Sequence, residues 1–319
     1  MRRREEKGTA LLSVLLLVAV MAVIAATSLD RLGLSTRLAA NAASANQSRL
    51  WLGMGEQLAI SRLREAEQLE GRQFAQTLGT AREIELPDGQ VATVRLDDAT
   101  NCFNLNSLVR RTDALILRSN PRAIRQFSAL LELAGIEESR AAALAARTAD
   151  AIDSDRNARP YGGETAANGD PLPNRAFVSA SEWTVVEGVD RALWDRMQPW
   201  LCALPQHELT PININTLPPD RAELISMLAP DELPPTIIAA RLGARPRGGY
   251  REIEDFWEGG NLDAASVPGN VRAQVVDDTQ FVSLTVEVGS ENLTLKQKSL
   301  VERAEDGPRL RGRLWGAGI

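Results

Sequence analysis

The chain has 319 residues but only one histidine and two cysteines. This scarcity of nitrogen and sulfur ligands argues against a zinc centre. The sequence also has no glycine-rich phosphate loop, no histidine pair typical of metal hydrolases and no serine at a nucleophile elbow. The lone His207 stands between Gln206 and Glu208, as is typical of a surface residue. No pattern supports catalysis, and we predict that the protein is not an enzyme.

Excess positive charge is missing as well. The formal net charge is −6 and the isoelectric point is about 5.2. Because an acidic body repels a phosphate backbone, this composition argues against nucleic acid as a partner.

Charged residues are absent between Lys7 and Asp30. This apolar run is long enough for a helix to cross a bilayer, and the basic leader before it predicts that the rest of the chain lies across the membrane. Three interpretations fit the run. It is a cleaved secretory signal, a plain signal anchor, or the start of a mature chain released by a cut between Gly8 and Thr9.

Prolines are absent from residues 30–70, where apolar residues recur at helical spacing. This pattern favours one continuous helix of about 60 residues, ~90 Å long, over an anchor followed by a separate surface helix. We predict a transmembrane segment over 9–29 and a continuation of the same helix over 30–70.

The leader, Gly8, the apolar run and the following helix resemble the N-terminus of type IV pilins and type II secretion pseudopilins. The resemblance implies that a prepilin peptidase cuts after Gly8 and methylates the new terminus at Thr9. Most members carry a glutamate five residues after the cut, where this chain has Ser13. That departure and the length of the chain are typical of the large minor pseudopilins of the general secretion pathway protein K family.

Two pairs of strands are predicted, around the turn Pro87-Asp88-Gly89 and around Gly289-Ser290-Glu291-Asn292. We therefore expect an α+β fold in which the long N-terminal helix packs on a small antiparallel sheet, interrupted by a large, mainly helical insert. Helices are predicted at 123–133, 139–151, 221–229, 235–242 and 253–257. The predicted divisions are the leader 1–8, the first part of the sheet 71–105, the inserted α-domain 106–279, the C-terminal hairpin 280–303 and a flexible tail 304–319.

A short repeat occurs within the insert. Phe103–Leu108 and Ile212–Leu217 both read apolar, Asn, apolar, Asn, hydroxyl, Leu. We predict that Ser107 and Thr216 are helix N-caps and that the asparagines close local turns. The second copy resembles helix-hairpin-helix or SAM-like elements, some of which bind DNA.

The two cysteines, Cys102 and Cys202, are expected to form a disulfide if the body lies outside the inner membrane. Two buried free thiols are the alternative.

An acidic stretch containing Asp150, Asp153 and Asp155 leads into a polar loop with Glu164 and Asp170. Several carboxylates on a flexible loop suit Ca²⁺, although a solvated acidic loop explains the residues equally well. The resemblance to protein K implies a calcium-binding region here. Asp153, Asp155 and Glu164 are then the leading ligands, and Asp150 and Asp170 the weaker ones. Thr165 stands where the family usually has a further carboxylate.

The resemblance implies a minor pseudopilin at the tip of the type II secretion pseudopilus, acting in initiation, length control and protein export. It would be a single-pass inner-membrane protein with its large domain in the periplasm. Its expected partners are other minor pseudopilins in a tip complex, the prepilin peptidase, secreted cargo and the outer-membrane channel. A type IV pilus minor pilin and, more remotely, a membrane-anchored DNA-uptake protein are the alternatives.

Overall fold

The computed structural model describes residues 2–66, 69, 71–113, 116–258, 262, 266–290 and 293–315. Its helices are α1 Arg2–Glu65, α2 Gly71–Ala75, α3 Pro121–Leu133, α4 Glu138–Asp150, α5 Arg191–Met197, α6 Glu223–Ser226, α7 Pro235–Gly243, α8 Ile253–Trp257 and α9 Gly269–Arg272. Its strands are β1 Ala81–Glu85, β2 Val91–Asp98, β3 Phe103–Asn104, β4 Val109–Asp113, β5 Ile116–Ser119, β6 Leu201–Cys202, β7 Ile212–Asn213, β8 Val275–Val276, β9 Phe281–Ser290, β10 Leu293–Ala304 and β11 Gly307–Trp315.

Helix α1 is unbroken over 64 residues, as the helical spacing of its apolar residues predicted. It ends at Glu65 rather than near residue 70. By length and composition, Leu11–Glu65 contains one stretch able to cross a membrane, with a mean hydropathy of 2.6. Gly8 and Thr9 fall on this helix, but their side chains lie outside the described part.

A five-stranded antiparallel sheet, in the order β1-β2-β9-β10-β11, packs one face against the C-terminal part of α1. Three residues of the helix share a buried cluster with alternate residues of β9. The cluster includes Leu52, Ala59 and Leu63 from α1 and Val282, Leu284, Val286 and Val288 from β9. The helix lies close to the sheet at Gly55, where a Cβ would come 2.9 Å from Val286 Cγ1. The α+β architecture is therefore the predicted one.

Strand β11 corrects the prediction of a flexible tail over 304–319. It pairs with β10 from Ala304↔Gly307 to Gln297↔Trp315. The turn is Glu305-Asp306, and Gly307, which follows it, has a φ of 118° that favours glycine. The strand was missed because arginines alternate with its apolar residues, as they do on an edge strand that faces water.

The insert begins earlier than predicted, because β2, the last strand of the sheet before it, ends at Asp98. Strand β3 pairs with β6 and does not join the sheet. Between β2 and β9 the chain forms a separate and larger buried core. Helices α3, α4, α7 and α8 lie within two residues of the predicted spans, whereas the predicted helix over 221–229 is only the four-residue α6. The hairpin β4–β5 was not predicted.

Candidate functional site

Helix α4 carries the acidic stretch into the core. Its last residue, Asp150, is completely buried, and Asp153 lies one turn further on with 2% of its surface exposed. Asp150 Oδ2 accepts hydrogen bonds from Gly163 N at 2.9 Å and Arg159 N at 3.2 Å. A Cβ on Gly162 would overlap Asp150 Oδ2, so only glycine fits beside this carboxylate.

Arg159 supplies the positive charge in this arrangement. Its Nε donates to Asp150 Oδ1, and its Nη2 donates to Asp153 Oδ2 at 2.5 Å. Its side chain is 18% exposed. In the described part of the chain, no three carboxylate, imidazole or thiolate groups meet at the spacing of metal ligands. The guanidinium lies between the two aspartates, where a cation would otherwise balance their charge.

Three buried oxygens around this ion pair have no hydrogen-bond partner among the residues that the structure describes, namely Asp153 Oδ1, Glu164 Oε1 and Asn174 Oδ1. Burial raises the pKa of Asp153 to about 7 against the opposing effect of Arg159. Burial also raises the pKa of the Glu164 carboxyl, with Asp150 adding to the effect. Unpartnered buried oxygens are costly, so these atoms are available to a hard cation.

The other two predicted ligands differ from each other. Asp155 is half-buried, and its charge acts on both Asp153 and Glu164, which places it beside the group. Asp170 is exposed, and its carboxylate accepts a hydrogen bond from Asn168 instead. Asn174 was not foreseen. Its left-handed φ of 46° and its bond to the Asp155 carbonyl hold it over the site.

The sequence repeat is a structural repeat. Asn104 and Asn213 each accept a hydrogen bond from the backbone N–H two residues later. Asn106 donates to Phe177 O and accepts from Phe177 N, and Asn215 pairs in the same way with Tyr250. The first asparagine of each copy thus closes a local turn, as predicted, whereas the second bonds a distant segment of the insert.

The predicted hydroxyl caps were wrong. Asn104 caps the turn after β3, while Ser107 Oγ donates to Asn104 O at 2.6 Å. Thr216 Oγ1 donates to Asp98 Oδ2, which also accepts from Thr279 Oγ1, each at 2.6 Å. The Thr216 and Thr279 hydroxyls therefore join the end of β2 to the insert.

A disulfide joins Cys102 and Cys202, whose Cα atoms are 5.8 Å apart. It lies against Leu204 of the insert and Phe281 of β9. The bridge therefore closes the first half of the insert into a loop that packs against β9.

Each half of the insert corresponds to a family described as type II secretion system protein K, over residues 101–206 and 212–276. The chain is 31% identical to the type II secretion system protein K of Pectobacterium carotovorum, covering 94% of this chain and 93% of that protein. It is 30% identical to the protein K of Pseudomonas aeruginosa, covering 99% and 95%.

The fold also matches a chain in the crystal structure of the GspK-GspI-GspJ complex of the enterotoxigenic Escherichia coli type 2 secretion system. The TM-score is 0.70 at 25% identity, over 86% of this chain and 97% of that one. Both halves of the insert thus match this family, and its members align over nearly the whole length of the chain. The chain therefore belongs to the type II secretion system protein K family.

Proposed function

We propose that this minor pseudopilin occupies the tip of the type II secretion pseudopilus, where it acts in initiation and length control during protein export. The observation that carries the proposal is the insert. It runs from Ala99 to Gln280 with a core of its own, separate from the cluster in which the sheet packs against α1 and Phe74 of α2. Such a bulk leaves no room for a subunit stacked above it, whereas the exposed N-terminal part of α1 remains free to pack with subunits below.

The membership of the family supports this proposal over a type IV pilus or DNA-uptake role. The related GspK chain was crystallised with GspI and GspJ. We expect this chain to assemble with the corresponding minor pseudopilins, with α1 in the inner membrane and the body in the periplasm. Contacts with secreted cargo and the outer-membrane channel follow from that position.

Labelling of the protein on isolated pseudopili tests the position. We expect one label at one end of each filament, and deletion of the protein should change filament number or length and impair secretion. Label spread evenly along the filaments would contradict the tip assignment.

Calcium is the second part of the proposal. The group contains hard oxygen donors, several of them unpartnered, which suit Ca²⁺. Asp150, Asp153, Asp155 and Glu164 would hold the ion, with Asn174 as a neutral ligand. Ca²⁺ would supply the positive charge that Arg159 provides in the ion-free arrangement.

Arg159→Gln distinguishes a calcium site from a purely structural ion pair. If Ca²⁺ binds, the substitution removes a competing cation, and calorimetry on the full chain in detergent should show tighter binding. Asp153→Ala and Glu164→Ala should abolish it, while Asp170→Ala, an exposed carboxylate of the same loop, should leave it unchanged. If Arg159→Gln is destabilised and binds no Ca²⁺, the loop holds a structural ion pair and not a calcium site.

A further inference from the structure

A deep groove separates the outer face of the sheet from the first half of the insert. One wall is formed by outward residues of β9 and β10, among them Thr285 and Lys298, and the other by segments 176–180 and 198–207. The groove encloses about 1210 Å³. Pockets for small molecules typically measure ~300–1,000 Å³, so this one is large enough for a segment of polypeptide.

The described lining of the groove is positively charged, although the whole chain is acidic. Two carboxylates line the groove, and both already have partners. Asp97 forms an ion pair with Arg95, and Asp98 accepts a hydrogen bond from the Thr216 hydroxyl. The cations of the lining are Arg95, Arg111, Arg221, Lys298, Arg311 and Arg313.

Three of these cations make no ion pair with any residue that the structure describes. They are Arg111, whose Nη2 lies 3.3 Å from His207 Nε2, Arg221 on the short turn Pro219–Arg221, and Lys298, exposed on β10. By contrast, Arg311 pairs with Glu302 and Arg313 with Glu56. An acidic ligand would thus meet unpaired charge from the sheet at Lys298 and from the second half of the insert at Arg221.

Apolar side chains stand beside these charges. Val178 is 82% exposed and Leu314 is 53% exposed, and both line the groove. These two side chains give a ligand that carries apolar groups something to pack against beside the charges.

We propose that this groove binds a segment of a partner protein that carries both acidic and apolar side chains. Its carboxylates would meet Arg221 and Lys298 and its apolar groups Val178 and Leu314, because Lys298 and Leu314 are cross-strand partners on one wall. Nucleic acid fits less well, because it offers no matching apolar side chains to the exposed valine and leucine. The inference depends on this surface and not on the position of the chain in a filament.

Fluorescence anisotropy on the full chain in detergent tests the proposal. The probe is a labelled decapeptide of alternating glutamate and valine, compared with a peptide that has lysine in place of glutamate. We expect the acidic peptide alone to bind. The double variant R221E/K298E should weaken its binding at least about tenfold, because close interfacial charge pairs are replaced by repulsion.

R82E is the matched control, since Arg82 is an exposed cation on β1 outside the groove. It should leave the affinity unchanged, and both variants should keep the thermal midpoint of the native chain. Equal binding of the two peptides, or equal affinity of R221E/K298E and native protein, would overturn the proposal. Tighter binding of a single-stranded oligonucleotide that displaces the peptide would overturn it in favour of a nucleic-acid ligand.

Discussion

At the scale of single residues, several carboxylates of this protein are buried away from water. Burial raises the pKa of Asp153 from near 3.8 to about 7. A group whose pKa is raised on folding stabilises the protein below its unfolded value, and this stabilisation is lost as the pH rises through the folded value. Without added Ca²⁺, the protein should therefore lose stability as the pH rises from about 3.8 to about 7.

Calcium should reverse that loss, because it binds the ionised carboxylate. The rise in thermal midpoint on adding Ca²⁺ should be greater at about pH 8 than at about pH 5.5, where protons compete for Asp153. Differential scanning fluorimetry at the two pH values measures it, with Asp153→Asn as the control. A calcium response independent of pH would argue against Asp153 as a ligand.

Glu56 is a further buried carboxylate, only 1% exposed on α1. It accepts hydrogen bonds from Gln297 Nε2 at 2.8 Å, Ser299 Oγ at 2.5 Å and Arg313 Nη2 at 2.5 Å. Arg313→Ala leaves this carboxylate without its countercharge and should cost about 3 kcal/mol, the low end for a buried pair because Arg313 is 41% exposed.

Denaturant unfolding of the full chain in detergent measures that cost. Glu56→Gln added to Arg313→Ala should recover part of it, because the neutral amide needs no countercharge. Arg309→Ala, which removes an exposed pair with Asp306, should cause no measurable change. Equal costs for the single and double variants would show that the charge of Glu56 is not the cause.

At the scale of elements, β11 matters more than its sequence indicates. It supplies Arg313 and forms one edge of the sheet. A chain ending at Ala304 should therefore be less stable than one lacking only residues 316–319, because it loses both the ladder with β10 and the countercharge of Glu56. Thermal melts of the two truncations decide this, and equal midpoints would restore the view of a dispensable tail.

The sequence predicted elements whose periodicity is strong and local. Helix α1 and strands β1, β2, β9 and β10 follow from apolar spacing and turn residues alone. Strand β11 did not, because arginines alternate with its apolar residues, and the buried partner of Arg313, Glu56, lies 257 residues away in the sequence. In the acidic loop, residue types indicated Asp153 and Glu164, but Arg159 and Asn174 became visible only once folding brought them beside those carboxylates.

For the whole molecule, the disulfide closes the first half of the insert into a single loop next to β9. It joins residues 100 positions apart, and the chain-entropy model gives such a loop a stabilisation of up to about 4.7 kcal/mol. Replacing both cysteines by serine should lower the thermal midpoint and speed proteolysis within 99–206, while the sheet resists. Limited proteolysis with mass mapping tests this, and an unchanged cleavage pattern would contradict it.

The insert leaves the sheet at the end of β2 and returns at the start of β9, and these two ends are paired at Asp98↔Val282. A load applied to the insert would therefore pull both strands in the same direction, along their own axes. Hydrogen bonds between strands run across those axes, so the ladders to β1 and β10 would be sheared together rather than opened one bond at a time. If a growing filament pushes or drags this domain against resistance, the force is shared by two whole ladders, and the body can transmit it without unfolding.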